Sequence, residues 1–172
     1  SRAKTVTVNV IKNNDFPLGT AQTISAEEDI IKTITLAASD ADGDTLLYKI
    51  TTLPVHGYLF LPSDPATRSD TIKSVPTTVT DGSHRVIYLS AKDGNGDGHG
   101  NFGFKVNDGT ADSEEATVTV NVIKKNDLPL GTAQTISADE DIDKTITLAA
   151  SDADGDTLLY KITTLPLNGY LA

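Results

Sequence analysis

The sequence contains no cysteine, no methionine and no tryptophan, and only nine of its 172 residues are Tyr or Phe. Without cysteine there is no disulfide to staple a small fold, and no thiolate for a redox or metal centre. With few aromatics, the core has to be built from Val, Ile, Leu and Ala, the bulk of the 38% hydrophobic content. Positive charge is short as well: 14 Lys and Arg stand against 24 Asp and Glu, a net −10. Such a chain repels phosphate backbones and anionic lipid, so nucleic acid and membrane insertion are poor expectations and cations are natural ligands. No apolar run approaches the roughly 18 residues of a membrane-spanning helix. The opening Ser1-Arg2-Ala3-Lys4 carries no secretion signal, and the chain is expected to be a piece of something longer.

What is present is a repeat. Residues 5–59 recur at 117–171 without gaps, and 49 of the 55 positions are identical. A period of 112 residues is that of whole domains in tandem, since solenoid repeats are several-fold shorter. The punctuation sets the phase. Lys12-Asn13-Asn14-Asp15-Phe16-Pro17 and Lys124-Lys125-Asn126-Asp127-Leu128-Pro129 each follow a strand-like run and end in Pro, which cannot continue a ladder. Residues 1–12 are therefore read as the last strand of a preceding repeat, 16–124 as a complete domain, and 128–172 as the first part of the next.

Thr alternates with aliphatics, as in Thr117-Val118-Thr119-Val120, and β-branched residues in that pattern favour half-buried strands. Strands are expected near 20–25, 32–38, 45–52, 57–61, 85–90, 101–107 and 116–123, with Asp-Gly and Asn-Asp-Gly turns between them. Residues 62–80, rich in Pro, Ser and Thr, read as a long connection. No helical period appears. Seven short strands in one domain predict an all-β fold, a two-sheet, immunoglobulin-like β-sandwich with Greek-key connections, in tandem repeats. Tyr48, Tyr58, Tyr88, Phe102 and Phe104 fall in strand patterns and are expected in its core.

The acids are grouped. Asp40-Ala41-Asp42-Gly43-Asp44 returns as Asp152-Ala153-Asp154-Gly155-Asp156. Alternating Asp around a Gly turn converges several carboxylates, which repel unless a hard cation sits among them, and Ca2+ takes six to eight oxygens. The plainer reading is a tight turn, but a turn does not require three acids. Asn14-Asp15 and Asn126-Asp127 in the linkers would, alone, be ordinary loop residues. Asp93-Gly94-Asn95-Gly96-Asp97-Gly98 opens like an EF-hand loop, yet its twelfth position is Phe104 and not the bidentate Glu. It is either a partial calcium loop completed by another segment or a flexible hairpin tip.

The order Glu28-Asp29, Asp40-x-Asp42, Tyr48, Asn107-Asp108-Gly109-Thr110, Thr117-Val-Thr-Val-Asn-Val and Asn126-Asp127-x-Pro129 resembles bacterial cadherin-like repeats of large calcium-dependent surface adhesins. The resemblance implies a seven-stranded sandwich with Ca2+ between successive domains. By position, Glu28 and Asp127 of one repeat would join Asp152 and Asp154 of the next, and the N-terminal junction would use Asp15, Asp40, Asp42 and Asp108. Asn14, Asp44, Asp93, Asn95, Asp97 and Asn126 are further candidate ligands. Two departures stand out: Lys12 and Lys124 occupy the place of the family's first linker Asp, and the paired Asp-x-Glu of the middle strands is absent. One or two ions per junction are therefore expected.

The function so implied is a calcium-rigidified spacer in an extracellular or cell-surface adhesin, partnered by neighbouring repeats and serving cell or matrix adhesion and biofilm. The alternatives are a carbohydrate- or matrix-binding module and a filament subunit assembling by strand exchange, with a glycan or another copy as partner. Catalysis is not expected. Of the three histidines, His56 is replaced by Asn168 in the second copy, and Ser83-His84 lacks an orienting third member.

Overall fold

The computed structural model describes residues 2–64 and 67–171 and, over 63–70, the backbone alone. The chain divides into two compact units, Ser1–Lys124 and Lys125–Ala172. Numbered in chain order, β1 (Leu18–Gly19) and β4 (Ala38–Ser39) make a short antiparallel pair. One sheet of the first unit has the order β2 (Gln22–Glu27), β11 (Ala116–Ile123), β10 (Phe102–Asn107), β5 (Leu47–Thr52) and β8 (Thr77–Thr78). The other has the order β3 (Lys32–Thr35), β9 (Arg85–Leu89), β6 (Tyr58–Asp64) and β7 (Thr67–Thr71). No helix occurs among the described residues. The fold is an all-β sandwich.

Alternation builds it. In β11, Ala116, Val118, Val120 and Val122 point inward, while Thr117 and Ile123 stay exposed. β5 turns Tyr48 and Ile50 to the same core, opposite Val106 and Phe104 of β10. From the second sheet Ile34, Leu59, Val86 and Tyr88 close the space. Each fully buried aliphatic contributes about 1.5–3 kcal/mol relative to exposure. β11 pairs antiparallel with β10 but parallel with β2, from Val118↔Gln22 to Ile123↔Glu27. Tyr88 is wholly buried, its hydroxyl donates to the His56 carbonyl at 3.0 Å, and burial pushes its pKa up. The ring fits because Gly57 and Gly100 lie against it: a methyl on Gly100 would overlap the ring, and one on Gly57 would stand 2.8 Å from it.

Two expectations need correction. Residues 62–80 are not one long connection: β6 runs on to Asp64, β7 folds back on it, and β8 joins β5. Pro62 is accommodated because β9 pairs with β6 only as far as Phe60, so beyond that point β6 bonds to β7 alone, through an irregular register. Tyr58 is not core but 54% exposed, since Leu59 takes the inward position of β6. Tyr48, Tyr88, Phe102 and Phe104 are buried as expected.

Residues 2–16 carry no strand, and Val6, Val8, Val10 and Ile11 are exposed. Their sequence is that of β11, but they have no ladder partner here, and an unpaired strand has nothing to hold it. The second unit makes the same point. Among its described residues it forms only β12 (Leu130–Gly131) and β13 (Ala150–Ser151), which repeat the β1–β4 pair. Tyr160, Ile162 and Leu171 are about half exposed (49%, 52% and 51%), whereas their counterparts Tyr48, Ile50 and Leu59 are buried. The decapeptide Thr45–Pro54 is identical to Thr157–Pro166, so the difference comes from the surroundings and not from local propensity.

Candidate metal centre

The Asp40–Asp44 loop is built by its first acid. Asp40 Oδ1 accepts from the amides of Asp42 (2.8 Å) and Asp44 (3.1 Å), and its carbonyl accepts from Gly43. Gly43 sits at φ 76°, a conformation cheap only for glycine. Asp40 alone therefore completes the turn, and the carboxylates of Asp42 and Asp44 are not needed for it. Carboxylate oxygens of all three nevertheless lie within 4.8 Å of one another. Asp42, whose side chain is 9% exposed, accepts from the Asp15 amide at 2.8 Å and so ties the linker to the loop. Asp40 Oδ2 is closed off from solvent and receives no hydrogen bond. A covered carboxylate oxygen without a donor, in a group of acids beyond what the turn uses, fits a hard cation.

Asn14 and Asp108 belong to the same end of the unit. The Asn14 side-chain amide donates to Asp108 Oδ2 at 2.9 Å and to the Asp15 carbonyl at 3.0 Å, and Asp108 Oδ1 accepts from the amides of Thr110 and Ala111. These bonds, the Asn14 one first, hold the Asp108 carboxyl below its usual pKa. Because the folded pKa lies below the unfolded one, the stability this group supplies is present above the ordinary carboxylate range and lost as pH falls through the folded value. Asn14→Ala should therefore raise the Asp108 pKa toward the ordinary 3.8. A carboxyl-detected NMR titration of both chains checks it; superimposable Asp108 curves would contradict the assignment.

The second copy reproduces the loop. Asp152 Oδ1 accepts from Asp154 (3.0 Å) and Asp156 (3.1 Å), Asp154 Oδ2 accepts from the Asp127 amide at 2.6 Å, and Gly155 has φ 73°. Asn126 donates to the Asp127 carbonyl, as Asn14 does to that of Asp15. Asp152, Asp154 and Asp156 again lie within 4.8 Å of one another. The same hydrogen bonds therefore shape both loops, each beside a two-residue strand pair.

Beyond the C-terminal end of β2 lies a second group. Glu28 is 2% exposed, and its Oε2 accepts from the Asn95 side chain at 2.9 Å. Asp29 and Asp93 both have positive φ (57° and 55°), unusual for non-glycine residues. Asp29 Oδ1 accepts from the Asp93 amide, and Lys92 pairs with Asp93 at 2.8 Å. Residues 93–100 are not a flexible tip. Gly96 exchanges two backbone bonds with Val122, and Gly98 donates to the Asn121 side chain, pinning the segment to β11. Asp97 is exposed. Glu28 and Asp29, more than sixty residues away in sequence, are what complete this loop, and no spacing rule marks them as its partners.

One participant of the first group was not expected. Lys12 Nζ lies 3.3 Å from both Asp42 Oδ1 and the Asp42 carbonyl, and 3.9 Å from Asp44 Oδ2. The signal for it is that both linkers have Lys three residues before the Asp.

Among the described residues no helix is long and apolar enough to cross a membrane. No curated protein sequence matches the chain. A family model described as cadherin-like matches residues 10–122, which is 113 of the 172. That span opens just before the linker holding Lys12, Asn14 and Asp15, takes in both sheets and both acidic groups of the first unit, and ends in β11. The chain belongs to the cadherin-like family.

Proposed function

We propose that the chain is a calcium-binding structural repeat that stiffens an extracellular adhesin of the bacterial surface, a spacer and not a catalyst. Cadherin-like domains are generally calcium-binding modules of adhesion type. The observation that carries the reading is the loop itself. Asp40–Asp44 and Asp152–Asp156 adopt the same hydrogen-bonded form in both copies, each with a linker Asp amide tied to the middle carboxylate, although only the first copy closes a core. A shape that recurs in both copies, furnished with more carboxylates than its turn uses, serves a ligand. Asp15, Asp40, Asp42 and Asp44 would hold the ion, with Asn14 and Asp108 fixing the linker beside it. The ion supplies positive charge to carboxylates that otherwise repel, and a linker tied to a neutralised loop is stiffer than a free one.

Extracellular modules bind Ca2+ with Kd around 10⁻⁴ M, so about 10 mM is a hundredfold excess and adds about 2.7 kcal/mol. For a domain of this size that raises the melting temperature by roughly 10 °C. Magnesium should do much less, because it demands a near-octahedral cage. Equal melting curves in calcium and in chelator would remove the reading.

A further inference from the structure

The Asp40–Asp44 loop already holds a cation, and it is part of the chain. The Lys12 ammonium stands 3.3 Å from a carboxylate oxygen and a carbonyl oxygen of Asp42 and 3.9 Å from Asp44, among the oxygens a metal would use. Asp42 is nearly covered, its side chain 9% exposed, so its charge is poorly screened by water, while Lys12 itself remains 61% exposed and free to swing out. The ammonium serves Asp42 and Asp44 but not Asp40, whose Oδ2 is shut off from solvent without a donor. One oxygen of the set thus waits for a partner that the lysine does not provide.

We propose that Lys12 is a tethered counter-ion that occupies the loop when calcium is absent and must leave when it binds, so that lysine and Ca2+ compete for the same carboxylates. This rests on the calcium reading above and adds its regulation. An ammonium has three donors and one charge; Ca2+ brings two charges and room for six or more oxygens. The exchange is therefore uphill at low calcium and downhill at high calcium. The lysine keeps the linker docked on the loop through the crossing and moves the calcium threshold upward. The same residue type stands at the same place in the second linker, Lys124, so the device belongs to the repeat pattern.

The test uses the full chain and the amide signals of Gly43 and Gly155, which report the two loops separately in one NMR calcium titration. In Lys12→Gln the Gly43 midpoint should fall to about one half to one fifth of its wild-type calcium concentration, the range a partly exposed ion pair can account for. Gly155 should not move. Lys49→Gln removes an equal charge beside Asp112, outside the loop, and should leave Gly43 unchanged. In chelator, Lys12→Gln should speed hydrogen exchange of the Asp42 and Asp44 amides several-fold, and Lys12→Arg should restore the protection. An unshifted Gly43 midpoint, or an equal shift in Lys49→Gln, overturns the competition while leaving calcium binding intact. If neither glycine responds to calcium in any chain, the calcium reading and the competition fall together. The chelator arm still reads on its own whether lysine holds the loop, and unchanged exchange there refutes the tethered counter-ion.

Discussion

Ile50→Ala should destabilise the chain by about 2–5 kcal/mol, while Ile162→Ala, the same substitution inside the same ten residues, should change stability by less than about 0.5 kcal/mol. Ile50 is completely buried, opposite Phe104 in the five-stranded sheet and packed in the core shared by both sheets. Removing three carbons there loses their transfer energy and leaves a cavity that close-packed neighbours cannot fill. Ile162 is 52% exposed and belongs to no strand. Because the local sequence is identical, helix or strand propensity and unfolded-state effects cancel between the two, and the difference isolates packing. Urea denaturation of both variants measures it. Comparable losses would mean that the second copy packs as the first does.

The second large effect concerns the loop. Asp42→Ala should lower calcium affinity at the first loop by about a hundredfold or more, since it removes a ligand as well as the acceptor that ties Asp15 to the loop. Asp42→Asn keeps an acceptor for the Asp15 amide without the charge and should fall between wild type and Asp42→Ala. Glu114→Ala removes an exposed acid outside both clusters and should match wild type. Calorimetric titration of the three variants distinguishes ligand from general electrostatics. If Glu114→Ala loses as much affinity as Asp42→Ala, the cluster is a turn and the chain's calcium response is only its net charge.

Strand identity was largely legible because it is set by side-chain alternation, which a sequence displays directly: Val118, Val120 and Val122 inward, Thr117 outward. The turn at Asp40–Gly43 was legible for the same reason, its bonds spanning two to four residues. Residues 62–80 were opaque because the strands there are held by backbone pairing to β6 and β5 and not by an apolar pattern. Tyr58 defies its aromatic character because phase decides which side chain turns inward, and Leu59 holds that position. The Glu28–Asn95 bond spans 67 residues, and only the folded sheets bring those ends together. Lys12 was visible as a departure from the family's acidic linker, but its meaning lay in where its ammonium ends up.

The parallel ladder between β2 and β11 decides how the domain carries a load. β2 is the first strand of the five-stranded sheet and β11 the last strand of the unit; they run in the same direction, and six residue pairs join them. A pull applied to the two ends of the domain drives one strand along the other. Every rung is then strained at once, so the bonds share the force and break together. Antiparallel terminal strands meeting at one edge would instead open rung by rung. A domain pulled at its two ends would therefore resist traction through this pair, and β2, whose backbone ladder among the described residues is with β11 alone, sets the force at which the pair gives way.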